Sequence, residues 1–301
     1  MGSKGLRLSH LLSRCCGDVL AKAAKVELAP NRPEARPVAL GQAERDFRGG
    51  DLSQRRSVYE ALLGIAEDGR DLAVVVGTWP GSQRAQATCE TSSTVAALRD
   101  RVLAVEPDLV VAEGDLMAAT TLLTVLSHVY RDKAVRLCFV GRDDEEHGET
   151  IASCRDRHVF LVGGSKINRL AADLLCQKHD QLRYVPTDRG FEKTERAPEG
   201  SIAAFEVKFD EDRREAVDYS MFLKVKSEDD PPRFSFLFMG ARQYATCGAV
   251  AALRDDTWLS CVMPKVRGVD EFQVIWQNRS GVFDPWPLGG HFVTDVLALH
   301  D

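Results

Sequence analysis

The stretch H-V-F-L-V-G-G-S-K-I-N, residues 158–168, decides the expected fold of this chain. Its first part, 158–162, is an almost continuous apolar run without the alternation of a half-exposed strand. Such a run is typical of a strand that helices cover on both faces. Two glycines then permit a tight turn, and apolar residues at helical spacing follow over 167–178. We therefore expect a buried strand, a glycine turn and a helix, the repeating unit of an α/β fold.

The same unit recurs along the chain. Further buried strands are expected over 72–76, 108–112, 135–140 and 234–239, and helices over 93–105, 116–130 and 246–253. Two segments with alternating apolar and polar residues, 202–209 and 219–225, predict an antiparallel hairpin or edge strands. Two more strands are expected nearer the C-terminus, over 258–263 and 272–276. The predicted fold class is α/β, with a doubly wound, mostly parallel, Rossmann-like sheet, an antiparallel hairpin insertion and an N-terminal amphipathic helix.

The chain divides by composition into two predicted parts. Residues 1–52 hold an amphipathic helix over 6–28 and then a linker rich in proline and arginine, and residues 53–301 form the Rossmann-like domain with a C-terminal tail. The apolar stripe of the helix must be covered by its own domain, by a second copy or by another protein. A homo-oligomer or a partner protein bound through 6–28 is therefore expected beside simple docking on the domain.

Composition excludes several classes of protein. The 301 residues are 44% hydrophobic and 28% charged, as in globular domains, and the net charge of −6 argues against a nucleic-acid partner. The chain has no apolar run of about 18 residues, so no membrane partner is expected. Eight cysteines without zinc-site spacing and the lack of a secretory signal indicate free thiols in the cytoplasm. No metal site is expected, although the acidic run 143–147 is an alternative for a hard cation.

The first candidate ligand site is the glycine turn that follows residues 158–162. Ligands of open α/β sheets bind beyond the carboxyl ends of the strands. Gly163 and Gly164 allow close approach of a ligand, and Ser165 is expected to cap the helix and contact an anion. Lys166 supplies positive charge, and Asn168 is expected to orient a polar group. An ordinary strand-to-helix turn is the alternative.

A second glycine turn follows residues 234–239. Gly240 and Gly248 allow close approach, Thr246 is expected to cap the next helix, and Arg242 offers a bidentate fork to phosphate or carboxylate. Two such turns at one sheet edge suggest a shared anionic ligand.

Two carboxylates are the catalytic candidates. Glu113 and Asp115 follow the strand expected over 108–112 and open a helix. Either can act as a general base or accept ligand hydroxyls, while Asp115 is also a good N-cap. The turn G-T-W-P-G-S, residues 77–82, adds hydroxyl groups at the same edge.

Several common signatures are absent from the sequence. It contains no G-x-G-x-x-G, no G-x-x-x-x-G-K-[ST] and no G-x-S-x-G, which disfavours a standard dinucleotide dehydrogenase, a P-loop NTPase and an α/β-hydrolase.

A wider pattern connects these motifs. D-L-V-V-A-E-G-D, V-F-L-V-G-G-S-K-I-N, D-Y-S-M-F and F-L-F-M-G-A-R-Q-Y-A-T-C-G-A-V-A-A-L follow one another over about residues 108–265. This order resembles an uncharacterised bacterial Rossmann-like module with a G-G-x-x-x-N turn and a G-x(5)-T-x-G-A-A helix entrance. The resemblance implies a ligand-binding crevice and no particular activity. Val250 replaces the last small residue of the second motif.

Three functions remain open at this point. The first is a soluble regulatory or sensor-type protein that binds a small anionic, nucleotide-like ligand. The second is a hydrolase or glycosyl-type transferase that acts on a nucleotide or nucleotide sugar. The third is an assembly or scaffold protein without a working pocket. The sequence identifies no cofactor.

Overall fold

A computed structural model describes most of the second predicted part of the chain. It covers residues 56–65, 68–80, 102–106, 109–141, 156–210, 215–229, 231–281 and 284–299, together with Ala152 and Cys154. The helix and linker predicted over 1–52, most of the helix predicted over 93–105 and the acidic run 143–147 lie outside the described residues.

Within these residues the chain forms helices and strands that alternate in its first half. The helices are α1 Arg56–Leu63, α2 Glu113–Val129, α3 Arg169–Gln177, α4 Gln243–Ala251 and α5 Asp256–Val266, with a short 3₁₀ turn at Ala252–Arg254. The strands are β1 Leu72–Pro80, β2 Val102–Glu106, β3 Leu109–Ala112, β4 Val135–Gly141, β5 His158–Val162, β6 Tyr184–Pro186, β7 Gly190–Lys193, β8 Ala204–Glu206, β9 Lys208–Asp210, β10 Glu215–Lys226, β11 Phe234–Gly240, β12 Phe272–Gly281 and β13 Asp284–Ala298.

The main sheet has a parallel half and an antiparallel half. Its continuous strand order is β4-β1-β5-β11-β10-β12-β13. The strands β4, β1, β5 and β11 run parallel. From β11 onward each strand is antiparallel to its neighbour. The last two residues of β1 also pair with β3, β9 pairs with the start of β10, and β6, β7 and β8 form a separate small sheet.

The predicted fold class is therefore wrong. The sheet is mixed and lacks the mostly parallel, doubly wound arrangement of a Rossmann-like fold. The expected antiparallel hairpin is not an insertion, because β10 lies inside the sheet between β11 and β12. The residues from Met221 to Val225 are buried without alternation. Strand β10 is antiparallel, as a hairpin strand would be, but its burial on both faces is that of a central strand and not of the expected edge strand.

Two individual elements also differ from expectation. Residues 102–106 form the strand β2, where the end of a helix was expected. The strand predicted over 258–263 lies inside α5, because the buried residues Trp258, Leu259, Val262 and Val266 follow helical spacing. The side chain of Asp255 begins this helix by accepting hydrogen bonds from the N–H groups of Thr257 and Trp258 at 2.8 and 3.3 Å.

The sheet separates two apolar clusters. Along β1, Leu72, Val74 and Val76 belong to the cluster under α1, α2, α4 and α5, whereas Ala73 and Val75 belong to the cluster under α3 and the small sheet. Full burial of such side chains stabilises the fold by roughly 1.5–3 kcal/mol each. Among the helices of the described residues, none has the length and apolar character needed to cross a membrane.

A buried ionic cluster fastens the amino-end edge of the parallel strands. His158 Nδ1 accepts a hydrogen bond from the Phe234 N–H at 3.1 Å, so its proton lies on Nε2, which is 2.9 Å from Asp68 Oδ2. Lys133 Nζ lies 3.1 Å from Asp68 Oδ1. Burial lowers the pKa of His158, while the charge of Asp68 opposes this change. The cluster thus holds a neutral histidine between β5 and the start of β11.

Candidate functional site

The two glycine bends lie at the ends of neighbouring strands. Val162 of β5 pairs with Phe238 of β11, and the N–H of Gly163 donates to the Phe238 carbonyl at 3.1 Å. A Cβ atom added at Gly164 would lie 3.5 Å from Cε of Met239, an ordinary van der Waals contact. Because β5 and β11 are parallel, both bends leave the sheet at the same edge.

The bend after β5 presents main-chain donors. Gly163 has a φ of 93°, which a residue with a side chain rarely adopts. The N–H groups of Ile167 and Asn168 both donate to the carbonyl of Gly164, at 3.3 and 3.1 Å. Within the described part of the chain, the N–H groups of Gly164, Ser165 and Lys166 donate no hydrogen bond to protein. Consecutive N–H groups of this kind form a concave site for an anion.

Asn168 caps α3. Its Oδ1 accepts from the Ala171 N–H at 3.2 Å, so the expected capping role of Ser165 is wrong. Its Nδ2 donates to the carbonyls of Val75 and Val162, both at 3.2 Å, and its side chain is fully buried. All donors of this amide are therefore used inside the protein, which ties β1 and β5 to α3.

The bend after β11 is packed closely against its own chain. Thr246 lies inside α4 rather than at its cap, and its Oγ1 accepts from the Gly240 N–H at 3.1 Å. The expected capping role of Thr246 is therefore wrong. A Cβ atom at Gly240 would lie 2.4 Å from Ala245, and one at Gly248 would lie 2.7 Å from Asn278 Oδ1. These two glycines make room for neighbouring protein atoms.

A buried polar cluster supports this second bend, and its members were not among the sequence candidates. Ser220 Oγ donates to the Ala245 carbonyl at 2.6 Å. Asn278 donates through Nδ2 to Ser220 Oγ and accepts at Oδ1 from the Trp276 indole N–H at 3.1 Å. The cluster joins β10 and β12 to the first turn of α4, so it fixes where the bend leaves the sheet.

Asp218 is the charged member of this region. It lies on β10, is 3% exposed, and accepts the Tyr219 N–H at 2.7 Å. Burial raises its pKa to about 7, against the opposing effects of N–H donors from Tyr219 and Arg242 and the charge of Arg242. The sequence feature that could have indicated Asp218 is the segment D-Y-S-M-F, in which one carboxylate precedes an apolar strand.

Two cations, one from each bend, act on the carboxylate of Asp188. Lys166 Nζ lies 2.6 Å from Asp188 Oδ1, and the side chains are 69% and 83% exposed. The hydrogen bond and charge of Lys166 lower the pKa of Asp188, and the charge of Arg242 lowers it further. Lys166 thus contacts Asp188 directly, and Arg242 lies near enough for its charge to act on both Asp188 and Asp218.

The catalytic candidates lie at the start of α2. The helix begins at Glu113 with Ala112 as its N-cap, so the expected capping role of Asp115 is wrong. Asp115 is buried, and a Cβ atom at Gly163 would lie 2.6 Å from its Oδ2. Cys247 Sγ donates to the Gly114 carbonyl at 3.0 Å, which fastens α4 to this helix start.

Thr78 is a further polar residue at this edge. It lies near the end of β1 and is buried, and its Oγ1 has no hydrogen-bond partner among the described residues. Its hydroxyl is available to a bound water or ligand hydroxyl. In the same part of the chain, no three His, Cys, Asp or Glu side chains form a group that could hold a metal ion.

The edge therefore combines main-chain donors, two cations and buried carboxylates. This arrangement can hold an anionic group at the bend after β5 and hydroxyl groups nearer α2. Comparisons of the chain with protein-family models, with curated proteins and with solved structures find no match.

Proposed function

We propose that this protein is a regulatory or sensor-type protein that binds a small anionic, nucleotide-like ligand at the carboxyl ends of β5 and β11. The observation that carries the proposal is the bend after β5, where the N–H groups of Gly164, Ser165 and Lys166 have no acceptor within the described residues. Such donors favour an anion with several oxygen atoms, such as a phosphate group.

The charges beside this bend support the same ligand class. Lys166 is held by Asp188 in an exposed pair, and exposed pairs contribute little stability. An incoming anion can therefore replace Asp188 at small energetic loss. Arg242 approaches from the neighbouring bend and adds a planar fork suited to phosphate oxygens. The anion would then contact both bends.

The nucleotide-like part of the proposal rests on α2 and β1. Asp115 is placed against Gly163, and Thr78 has a buried hydroxyl without a protein partner in the described regions. Carboxylates and hydroxyls are the groups that bind ribose or sugar hydroxyls. We place the protein in the cytoplasm, because its buried free thiols fit a reducing compartment.

An enzyme acting on the same ligand class is the second candidate. It is favoured by Asp115, which lies against Gly163 in the bend after β5 and follows Glu113 in the first turn of α2, and by the pKa of about 7 at Asp218. Asp218, however, is buried among main-chain donors and positions Arg242. A bell-shaped pH–rate profile that Glu113→Gln abolishes would favour the enzyme.

The test is calorimetric titration of the full chain with inorganic phosphate, ADP and UDP-glucose. Arg242→Gln and Lys166→Gln should each weaken binding of the favoured probe roughly tenfold, the size expected for a charge-assisted hydrogen bond. Arg267→Gln and Lys265→Gln, at exposed positions at the end of α5, are the matched controls and should leave affinity unchanged.

Native mass spectrometry of the freshly purified protein gives an independent measurement. A co-purified anion that is lost from the Arg242→Gln protein supports the proposal. Equal losses of affinity in the control variants, or no binding of any probe to the folded wild type, would refute it.

A further inference from the structure

Thr78 carries a buried hydroxyl that the described part of the fold does not use. Its side chain lies near the end of β1 and is 1% exposed, and no group of the described residues forms a hydrogen bond with its Oγ1. By contrast, Thr120 and Thr124 on α2 donate their hydroxyls to main-chain carbonyls one turn earlier, at 2.8 and 3.0 Å. A buried polar group without a protein partner costs free energy, so the hydroxyl of Thr78 indicates a bound water molecule or a ligand.

The register of β1 and β5 places this hydroxyl level with the bend after β5. The two strands are parallel, and Val76 of β1 pairs with Val162 of β5. Thr78 and Gly164 each lie two residues beyond this pair. Gly164 is the first of the three residues whose N–H groups donate to no protein atom in the described part of the chain. The hydroxyl and these main-chain donors therefore meet the same edge of the sheet.

The alternation of side chains along β1 directs Thr78 to the face of the sheet that α2 covers. Successive side chains of a strand point to opposite faces. Val74 and Val76 belong to the apolar cluster under α2, and Thr78 is the next residue on that face. On the opposite face, a Cβ atom at Gly77 would lie 2.9 Å from Asn168, so the chain leaving the bend crosses β1 there. Thr78 is thus turned towards the start of α2.

The first turn of α2 lies at the end of β1. Strand β3 pairs with Trp79 and Pro80 of β1 and runs directly into α2 at Glu113. Asp115, in that turn, is buried, and a Cβ atom at Gly163 would lie 2.6 Å from its Oδ2. The bend after β5 therefore has a carboxylate and a hydroxyl on its α2 side.

We propose that the ligand is a ribonucleotide and that Thr78 is the residue that selects it over deoxyribonucleotides. This inference rests on the proposed function. With the phosphate group at the bend after β5, the ribose lies on the α2 side. There Asp115 accepts a hydrogen bond from one hydroxyl of the 2′,3′-diol, and Thr78 bonds the other.

The chemistry of these two side chains suits neighbouring hydroxyls. A carboxylate has several acceptor positions, so a ligand hydroxyl can join the contacts that Asp115 already makes. The hydroxyl of Thr78 can both donate and accept. A site that binds a ligand hydroxyl rejects the analogue that lacks it, because the buried polar group of the site is then left unpaired.

Calorimetric titration of the full chain with ADP, 2′-deoxy-ADP and 3′-deoxy-ADP tests this assignment. Wild type should bind each deoxy analogue roughly tenfold more weakly than ADP, the size expected for one lost hydrogen bond. Thr78→Val should bind ADP roughly tenfold more weakly than wild type and should no longer distinguish ADP from one of the two analogues. Thr78→Ser keeps the hydroxyl and should restore the preference. Thr124→Val is the matched control, because that hydroxyl bonds within α2, and it should change neither affinity nor preference.

Urea unfolding of the ligand-free protein separates a ligand-binding role from a structural one. Valine has nearly the shape of threonine and lacks the hydroxyl, so Thr78→Val should unfold at the same urea concentration as wild type or at a higher one. A hydroxyl that supports the fold would give the opposite shift. The variant should therefore lose affinity while it keeps its stability, and damage to the fold does not produce this combination.

The outcomes that refute this inference differ from those that refute the proposed function. If ADP binds no better than both deoxy analogues while Arg242→Gln still weakens binding, the anion site stands and the selection by Thr78 is wrong. A Thr78→Val protein with unchanged affinity and preference would place only a water molecule at this hydroxyl and would also overturn the inference. If neither inorganic phosphate nor ADP binds the folded wild type, the proposed function is wrong, and the inference fails with it.

Discussion

Replacement of Asp218 by asparagine should change how the stability of the protein depends on pH. Burial raises the pKa of Asp218 from 3.8 to about 7, so the folded state binds its proton more tightly than the unfolded state. As the pH rises from about 4 to about 7, the unfolded chain gains stability relative to the folded chain. A difference of about three pKa units corresponds to about 4 kcal/mol at pH values above 7.

Asparagine has nearly the same shape and stays neutral. Its Oδ1 can accept the Tyr219 N–H, as the carboxylate does at 2.7 Å. The variant also loses the charge–charge attraction with Arg242 and changes the hydrogen-bond pattern. These two effects would shift its free energy of unfolding by the same amount at every pH. The informative quantity is therefore the slope: the stability of Asp218→Asn relative to wild type should rise with pH by up to about 4 kcal/mol.

Urea denaturation of both proteins between about pH 4 and pH 8 measures this difference. Asp188→Asn is the matched control, because Asp188 is exposed, lies close to the same arginine and has a lowered pKa. Its relative stability should fall slightly with pH, which is the opposite sign. A free-energy difference between Asp218→Asn and wild type that stays constant across this range would refute the reasoning.

Three further substitutions test other parts of the structure by denaturant unfolding. Gly163→Ala should destabilise the fold by about 2 kcal/mol or more, because the φ of this residue is 93° and the new Cβ atom would lie 2.6 Å from Asp115 Oδ2. A variant with unchanged stability would contradict this close contact. Asn168→Ala should lose about 2–4 kcal/mol through the helix cap and two strand hydrogen bonds, and hydrogen exchange should rise at the start of α3. The stability of His158→Gln relative to wild type should rise as the pH drops below about 6.5, because the folded wild type opposes protonation of His158; a free-energy difference between the two proteins that stays constant with pH would argue against the neutral histidine.

The sequence indicated the parallel half of the sheet better than the antiparallel half. The buried runs 72–76, 158–162 and 234–239 all lie in strands, and the glycine turns follow β5 and β11 as expected. Strand direction and order were not readable, because apolar runs buried on both faces look alike in either direction. The segment 258–263 shows the same ambiguity, since a short apolar run fits a helix as well as a strand.

The glycines and cations of the candidate site could be predicted from the sequence, but the buried polar residues that hold the second bend could not. Gly163, Lys166 and Arg242 stand out in the sequence because they follow strands, and the shared edge follows from parallel strands. Asp218 and Asn278 did not stand out, because single polar residues within strands are usually exposed. Only the pairing of β10 with β11 and β12 shows that they are buried beneath the second bend. Whether the glycine turns hold a ligand stays a prediction.

The two halves of the sheet, which meet between β11 and β10, differ in how far apart along the chain their paired strands lie. The pairs β12–β13 and β10–β11 join strands that follow each other along the chain, whereas β1–β4 and β5–β11 join distant segments. Pairings close in sequence lose less loop entropy and form early in folding. We expect the antiparallel hairpins to nucleate folding and the parallel strands to assemble on them, so substitutions in β12 should slow folding and those in β4 should mainly speed unfolding. Strand β5 and the glycine bend that follows it would then be the last to order and the first to open.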